Sequence, residues 1–149
     1  MCQVCRDAAE DFCVLSGDDA YTLPMISIGA VGVISVVSNE VPLEMAALVS
    51  AALAGDFATA RSTHERLLPL MQVNFVESNP IPVKAALAEM GLISARYRLP
   101  LVPPEEPSRQ RIAEVLRSLG ITTQQSPLRS LLDGGARPAS SDGPVTSGA

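Results

Sequence analysis

The amino-terminal part of the chain alternates short apolar runs with turn signals. Phe12 to Leu15 is apolar and is stopped by Ser16-Gly17-Asp18-Asp19, which predicts a buried strand that ends in a turn. Ala20 to Ile28 predicts a short helix that an aspartate caps and Gly29 ends. Gly32 to Val37 lacks polar alternation, which predicts a second strand buried on both faces. Because a strand, a helix and a strand in this order form a βαβ unit, we expect the two strands to be parallel.

From Pro42 onward, apolar positions recur at helical spacing and predict four helices. Between the third and fourth helices, Leu99 to Pro107 is rich in proline and predicts an extended connector. Beyond Ile121, serine, glycine and proline replace most apolar residues, which predicts a disordered tail. The helices are expected at Leu43 to Ala54, at Phe57 to about Phe75, from Pro80–Pro82 to Gly91, and from about Ser108 to Leu119.

Composition narrows the class of protein. The chain has 149 residues, of which 47% are hydrophobic, and a net charge of −5. This hydrophobic content excludes wholesale disorder. Basic residues form no stripe and only 3% of residues are aromatic, which argues against nucleic-acid binding. The amino terminus shows no secretory signal pattern and the chain has three cysteines, an odd number, so we expect a cytoplasmic protein.

The segment from Ala20 to Asn39 carries no charged residue, which leaves a membrane span as an alternative. About 20 apolar residues would suffice to span a bilayer. Proline, glycine and serine interrupt this segment, however, and β-branched residues crowd its end. These features favour a buried helix followed by a buried strand, so no membrane partner is expected.

The residues that most often build metal or nucleophilic sites lack the necessary context. Cys2 and Cys5 have the spacing of a metal or redox pair, but only Cys13 and His64 remain as further ligands, and neither has motif spacing. A redox pair would lie at a junction between a strand and a helix. His64 has no nucleophile motif around it. We therefore expect no metal site, no cofactor and no catalytic triad.

Two sites in the sequence allow both a functional and a purely structural interpretation. Gly17 and Asp18, with Asp19, follow a predicted strand, so they should lie where α/β proteins bind ligands; an aspartate there could equally cap the next helix. Lys84 is the only lysine, so an amine nucleophile would have to be this side chain or the terminal amine. Its position in the first turns of a helix favours a solvated surface residue.

Several segments of the chain are specific enough to compare with known families. They are Val14 to Asp19, Gly32 to Val36, Leu53 to Arg61, and most specifically Glu77 to Leu87, followed by Gly91-Leu92. In their order and spacing, from about Phe12 to Gly120, they resemble the 4-hydroxy-tetrahydrodipicolinate synthase (dihydrodipicolinate synthase) family. The resemblance implies a lyase that condenses pyruvate with aspartate semialdehyde through a Schiff base, in the diaminopimelate route of lysine biosynthesis.

The resemblance also implies an α/β fold class and a domain organisation. Residues 1–41 would be a partial TIM (β/α)8 barrel that contains strands seven and eight. Residues 42–120 would be the barrel-closing helix and a carboxyl-terminal α-helical domain, and residues 121–149 the disordered tail. Because a complete barrel takes about 250 residues, we expect the isolated chain to be marginally folded or to associate.

Site residues follow from the resemblance position by position. Ile34 matches the residue that lines the pyruvate site through its backbone, and Gly17 with Asp18 matches the rim near the second substrate. The family's Schiff-base lysine lies on the sixth strand, which would precede Met1, and Lys84 matches a different lysine. We therefore expect no catalytic residue in this chain.

The favoured hypothesis is the carboxyl-terminal half of such a synthase, inactive alone, which meets pyruvate and aspartate semialdehyde when an amino-terminal half completes it. Association with that half or with a second copy is expected. Two alternatives stay open: a non-enzymatic half-barrel interaction module, and part of a sister pyruvate-dependent aldolase.

Overall fold

The computed structural model describes residues 1–9 and 11–121, so nearly all of the predicted tail lies outside the described residues. Two strands and six α-helices occur within this part of the chain, together with the 3₁₀ turns Asp19–Tyr21 and Val37–Asn39. In chain order the elements are α1 (Cys2–Asp7), β1 (Leu15–Ser16), α2 (Thr22–Ser27), β2 (Gly32–Val33), α3 (Pro42–Leu53), α4 (Phe57–Val73), α5 (Ile81–Glu89) and α6 (Glu106–Ser118).

The two strands pair in parallel, which confirms the predicted βαβ connection through α2. Leu15 lies opposite Gly32 and Ser16 lies opposite Val33. The pairing fits a glycine at position 32, because a Cβ there would lie 3.1 Å from Cδ2 of Leu15, closer than ordinary van der Waals contact. Two hydrogen bonds extend the pairing beyond the strands, from Val31 N to Val14 O at 2.9 Å and from Ile34 N to Ser16 O at 2.8 Å.

The strands differ from the predicted ones in length and in burial. Each spans two residues, and Phe12 and Ile34, placed in buried strands by the sequence pattern, are 65% and 68% exposed. The physical reason is that no third strand pairs with either one among the described residues, so both outer edges stay open. After β2 the chain turns into the 3₁₀ turn Val37–Asn39 instead of continuing as a strand. The amino terminus, for which the sequence pattern predicted no element, forms α1.

Local signals explain where the helices begin and end. Pro42 lies in the first turn of α3, where its missing N–H costs nothing. The Asp56 side chain accepts a hydrogen bond from Thr59 N at 3.1 Å and so caps α4. Gly55 and Gly91 follow α3 and α5 with φ of 80° and 73°, a conformation that favours glycine and ends a helix. These four helices confirm the helical pattern, with α6 beginning two residues earlier than predicted.

A single apolar core joins α3, α4, α5 and α6. Val37, directly after β2, is also part of this core and is fully buried, so the βαβ unit is anchored to the helices at that point. The largest fully buried apolar side chains of this core are those of Leu48, Leu67, Leu70, Met71, Met90, Ile112 and Leu116. Within the described residues, no helix combines the length and apolar character needed to cross a membrane.

Two leucines of α3 provide a direct test of this core. Leu48 is fully buried, whereas Leu43 in the same helix is 65% exposed. We expect Leu48→Ala to lower the free energy of unfolding by about 2 to 5 kcal/mol, or to abolish the cooperative transition, because it leaves a cavity. Leu43→Ala should change it by less than about 0.5 kcal/mol. Urea unfolding followed by circular dichroism measures both, and equal effects of the two substitutions would contradict the core described here.

Candidate functional site

A cleft of about 480 Å³ opens beside the carboxyl ends of β1 and β2. Gly17 lies directly after β1 and Ile34 directly after β2, and both line this cleft. Its opposite wall comes from the amino-terminal end of α5 and the residues before it, including Asn79, Pro80 and Lys84. The cleft therefore brings together the turn after the first strand, the end of the second strand and the segment before α5. We call it the strand-end cleft.

The turn after β1 is held by its own side chains. Ser16 is buried, and its Oγ donates a hydrogen bond to Asp18 O at 2.7 Å. Asp18 Oδ1 accepts a hydrogen bond from Ala20 N at 2.9 Å, which confirms the predicted capping role for one of the two aspartates. Asp18 does not line the strand-end cleft, in contrast to Gly17. A ligand-binding role for Asp18 stays a prediction.

Asp19 has a role that the sequence pattern did not reveal. Its side chain is buried, and Oδ2 accepts hydrogen bonds from Val36 N at 2.9 Å and Val37 N at 3.1 Å. A carboxylate that bridges two main-chain amides in a buried position holds them firmly. Asp19 thereby fixes the segment that follows Ile34. From the sequence, Asp19 could be recognised only as a neighbour of a capping residue. No local pattern indicates its hydrogen-bond partners, which lie 17 and 18 positions away.

Glu40 and Asn74 form a second buried polar contact behind this segment. Asn74 Nδ2 donates to Glu40 Oε2 at 2.6 Å. Burial raises the pKa of Glu40 to about 8, the hydrogen bond from Asn74 opposes this, and the negative charge of Asp19 adds to it. Glu40 is therefore mostly protonated at neutral pH. No motif links these positions, so sequence reasoning missed the pair.

Lys84 lies on the wall of the strand-end cleft and is half-buried, so the expected solvated position is only partly correct. Its Nζ lies 5.5 Å from the centroid of the Tyr97 ring. An ammonium at this distance is attracted to the face of a tyrosine ring. The arrangement joins α5 to the connector before α6.

The cysteines and His64 lie outside the strand-end cleft. Cys2 and Cys13 are exposed and Cys5 is half-buried, and all are free thiols. Burial lowers the pKa of His64, whose Nδ1 has no hydrogen-bond partner among the described residues. In that part of the chain, no three His, Cys, Asp or Glu residues are grouped as metal ligands.

Comparison with known proteins gives consistent matches. The model of the dihydrodipicolinate synthetase family matches residues 1–119. The 4-hydroxy-tetrahydrodipicolinate synthase of Koribacter versatilis (strain Ellin345) is 51% identical over 118 residues, which make up 79% of this chain and 39% of that protein. The crystal structure of dihydrodipicolinate synthase from Aquifex aeolicus matches 81% of this chain and 41% of its own, with 43% identity and a TM-score of 0.79.

A second similar structure contains a ligand. It is the chloride-inhibited dihydrodipicolinate synthase from Acinetobacter baumannii complexed with pyruvate, which has 41% identity and a TM-score of 0.72 over 74% of this chain and 38% of its own. This chain thus shares the fold of a part of these enzymes. It spans about two fifths of the length of the relatives it matches.

Glu40 should make stability depend on pH. The pKa of this group is raised above its ordinary value of 4.5 to about 8 in the folded chain, so its contribution is complete below about pH 4.5 and is lost as pH rises towards 8. We expect the free energy of unfolding to fall by about 2 to 4 kcal/mol across this range. Glu40→Gln, which cannot ionise, should flatten the profile and stabilise the chain at pH 8. Urea unfolding at several pH values tests this, and parallel profiles for both proteins would contradict it.

The role of Asp19 can be measured at the amides it binds. Asp19→Ala should accelerate hydrogen exchange at Val36 and Val37 and cost about 1 to 3 kcal/mol, because two buried N–H groups lose their acceptor. Asp19→Asn keeps an acceptor oxygen and should have a smaller effect. As a control, Asp56→Ala removes the cap of α4 without touching these amides. If exchange at both amides is unchanged in Asp19→Ala, the assigned role is wrong.

Proposed function

The chain belongs to the dihydrodipicolinate synthetase family, and we propose that it forms the carboxyl-terminal part of a 4-hydroxy-tetrahydrodipicolinate synthase. Such a synthase is a lyase that condenses pyruvate with aspartate semialdehyde. The observation that carries the proposal is the match of residues 1–119 to the family together with the strand-end cleft, which places Gly17 and Ile34 beside each other.

In this proposal β1 and β2 correspond to strands seven and eight of a TIM barrel, and residues 1–41 are its last part. The parallel register of the two strands supports the assignment, since barrel strands are parallel. Residues 42–120 then form the barrel-closing helix and a helical domain, supported by the continuous core of α3 to α6. The strand-end cleft lies at the carboxyl ends of the strands, where TIM-barrel enzymes carry their active sites.

We assign Ile34 to the pyruvate site through its main chain. The Ile34 N–H already donates to Ser16 O at 2.8 Å. Any main-chain contact of Ile34 with a ligand would therefore use its carbonyl oxygen, which accepts hydrogen bonds. Gly17 and Asp18 would form the rim for the second substrate, with Gly17 in the cleft and Asp18 holding the turn. In this scheme Asp19 is a positioning residue, because its carboxylate binds the amides of Val36 and Val37, shortly after Ile34.

Lys84 is not the Schiff-base nucleophile in this proposal, although it is the only lysine of the sequence. By the resemblance, Lys84 matches a lysine of the helical part of such a synthase, whereas the Schiff-base lysine lies on the sixth strand. The nucleophile would then come from another part of the synthase, and the 149-residue chain would be inactive by itself.

One observation favours the non-enzymatic alternative of an interaction module. Four apolar side chains close to the strand pair are exposed, and in the described residues no strand covers either edge. Such a surface binds a complementary chain readily. The same surface would receive the preceding strands of a synthase, so the two functions differ in whether catalysis results. The side chains are Phe12, Leu15, Val31 and Ile34.

Trapping with borohydride tests the proposal. The chain is mixed with pyruvate and sodium borohydride, alone and together with the amino-terminal part of a related synthase that ends after its sixth strand. Peptide mass mapping then locates any reduced adduct. We expect none on Lys84, and an adduct on the added part accompanied by condensation activity. Lys84→Arg should form the same adduct, because the substitution leaves the nucleophile in place.

A stable adduct on Lys84 would contradict the assignment of the nucleophile. An interaction module would bind the added part without restoring condensation. Peptide mapping also separates any adduct on the terminal amine from one on a lysine side chain.

A further inference from the structure

A second cleft, of about 650 Å³, shares Pro80 and Lys84 with the strand-end cleft. Its walls come from the start of α5 and from the connector that leads to α6. Three cationic side chains line it: Lys84, Arg96 and Arg98. Tyr97 and several uncharged residues complete the lining, and no carboxylate takes part. We call it the cationic cleft.

The charge of this cleft is opposite to that of the chain, whose net charge is −5. Among the described residues, ion pairs join Arg6 to Asp7 at 2.7 Å and Arg109 to Glu106 at 2.9 Å, and none involves Lys84, Arg96 or Arg98. Three cations that line one concave surface attract anions, because the low-dielectric walls concentrate their field.

The cleft also has the geometry for binding rather than for general attraction. The Tyr97 ring fixes Lys84 Nζ at 5.5 Å from its centroid and so gives the cleft one positioned ammonium. Arg96 and Arg98 add two guanidinium groups, each able to bind a planar carboxylate through two parallel hydrogen bonds. Because Lys84 lines both clefts, an anion held here lies next to the strand-end cleft.

We propose that Lys84, Arg96 and Arg98 form a binding subsite for small carboxylate anions, which passes them to the neighbouring strand-end cleft. The inference rests on the proposed function, since both substrates of such a synthase carry a carboxylate. It assigns to the lone lysine a role in substrate capture in place of covalent chemistry. The subsite raises the local concentration of substrate at the mouth of the active site.

The chain offers a simple optical probe for this subsite. It has no tryptophan and two tyrosines, Tyr21 and Tyr97. In Tyr21→Phe, all tyrosine fluorescence comes from Tyr97 in the cationic cleft. Tyr21 is 62% exposed, so its replacement should leave the fold intact. Succinate, which is transparent at these wavelengths, serves as the carboxylate probe, and succinamide serves as its uncharged counterpart.

We expect succinate to change the Tyr97 fluorescence saturably and succinamide to leave it unchanged. Added sodium chloride should weaken succinate binding, because exposed charges are screened. Arg96→Gln combined with Arg98→Gln should weaken it about threefold to tenfold, as expected for the loss of two solvent-accessible charge contacts. Arg111→Gln removes an exposed arginine of α6 that lines neither cleft, and it should have no effect. Circular dichroism of each variant verifies that the fold is kept.

Inorganic phosphate tests whether the cationic cleft prefers phosphate groups to carboxylates. Tighter binding of phosphate than of succinate would overturn the assignment to carboxylates. Equal weakening by Arg111→Gln and by the double substitution would also overturn it, because attraction would then come from the whole surface. If the folded chain shows no saturable binding of succinate, the proposal is also overturned. None of these outcomes affects the borohydride experiment, whose adduct does not depend on the cationic cleft, so the two proposals fail separately.

Discussion

The buried carboxylate of Asp19 is the interaction on which the arrangement of this molecule depends. It accepts hydrogen bonds from the amides of Val36 and Val37, and so joins the turn after β1 to the segment after β2. Val37 is itself a buried member of the helical core. Together with the packing of α2 against α3 and α4, this carboxylate joins a strand pair that has little burial of its own to the helices. Without it, the two N–H groups would lose their acceptor, at a cost of about 1 to 3 kcal/mol.

A second buried acid, Glu40, lies behind this contact, and its protonation state depends on its surroundings. Burial raises the pKa of Glu40, and the negative charge of Asp19 adds to that rise. The hydrogen bond that Asn74 donates to Glu40 opposes the rise, because it favours the charged carboxylate. A buried acid that is neutral at physiological pH thus accompanies a buried acid that bridges two amides. Asp19 and Glu40 can therefore both be buried beside a core that is otherwise aliphatic.

The position of Lys84 connects the fold to the proposed chemistry. It lies on a helix beyond the strand pair, yet its side chain lines both the strand-end cleft and the cationic cleft. Substrate capture and catalysis would then be divided between different parts of the synthase. In the proposal, the helical part would hold the incoming anion, and the strand ends would present main-chain groups such as the Ile34 carbonyl. This division is consistent with a chain that spans about two fifths of its relatives.

The sequence by itself determined the features that depend on neighbouring residues. It predicted the helices α3 to α6, because Pro42, Asp56 and the terminal glycines act within one or two turns of their own helix. It also predicted the parallel strand pair, a capping aspartate in the turn after β1, and the family. Tertiary structure alone decided the exposure of Ile34, the amide partners of Asp19, the Glu40–Asn74 contact and the meeting of Lys84 with Arg96 and Arg98. Local patterns fix local conformation, whereas these contacts join positions far apart in the chain that no short-range rule connects. Their partners become defined only when the core packs and places one element against another.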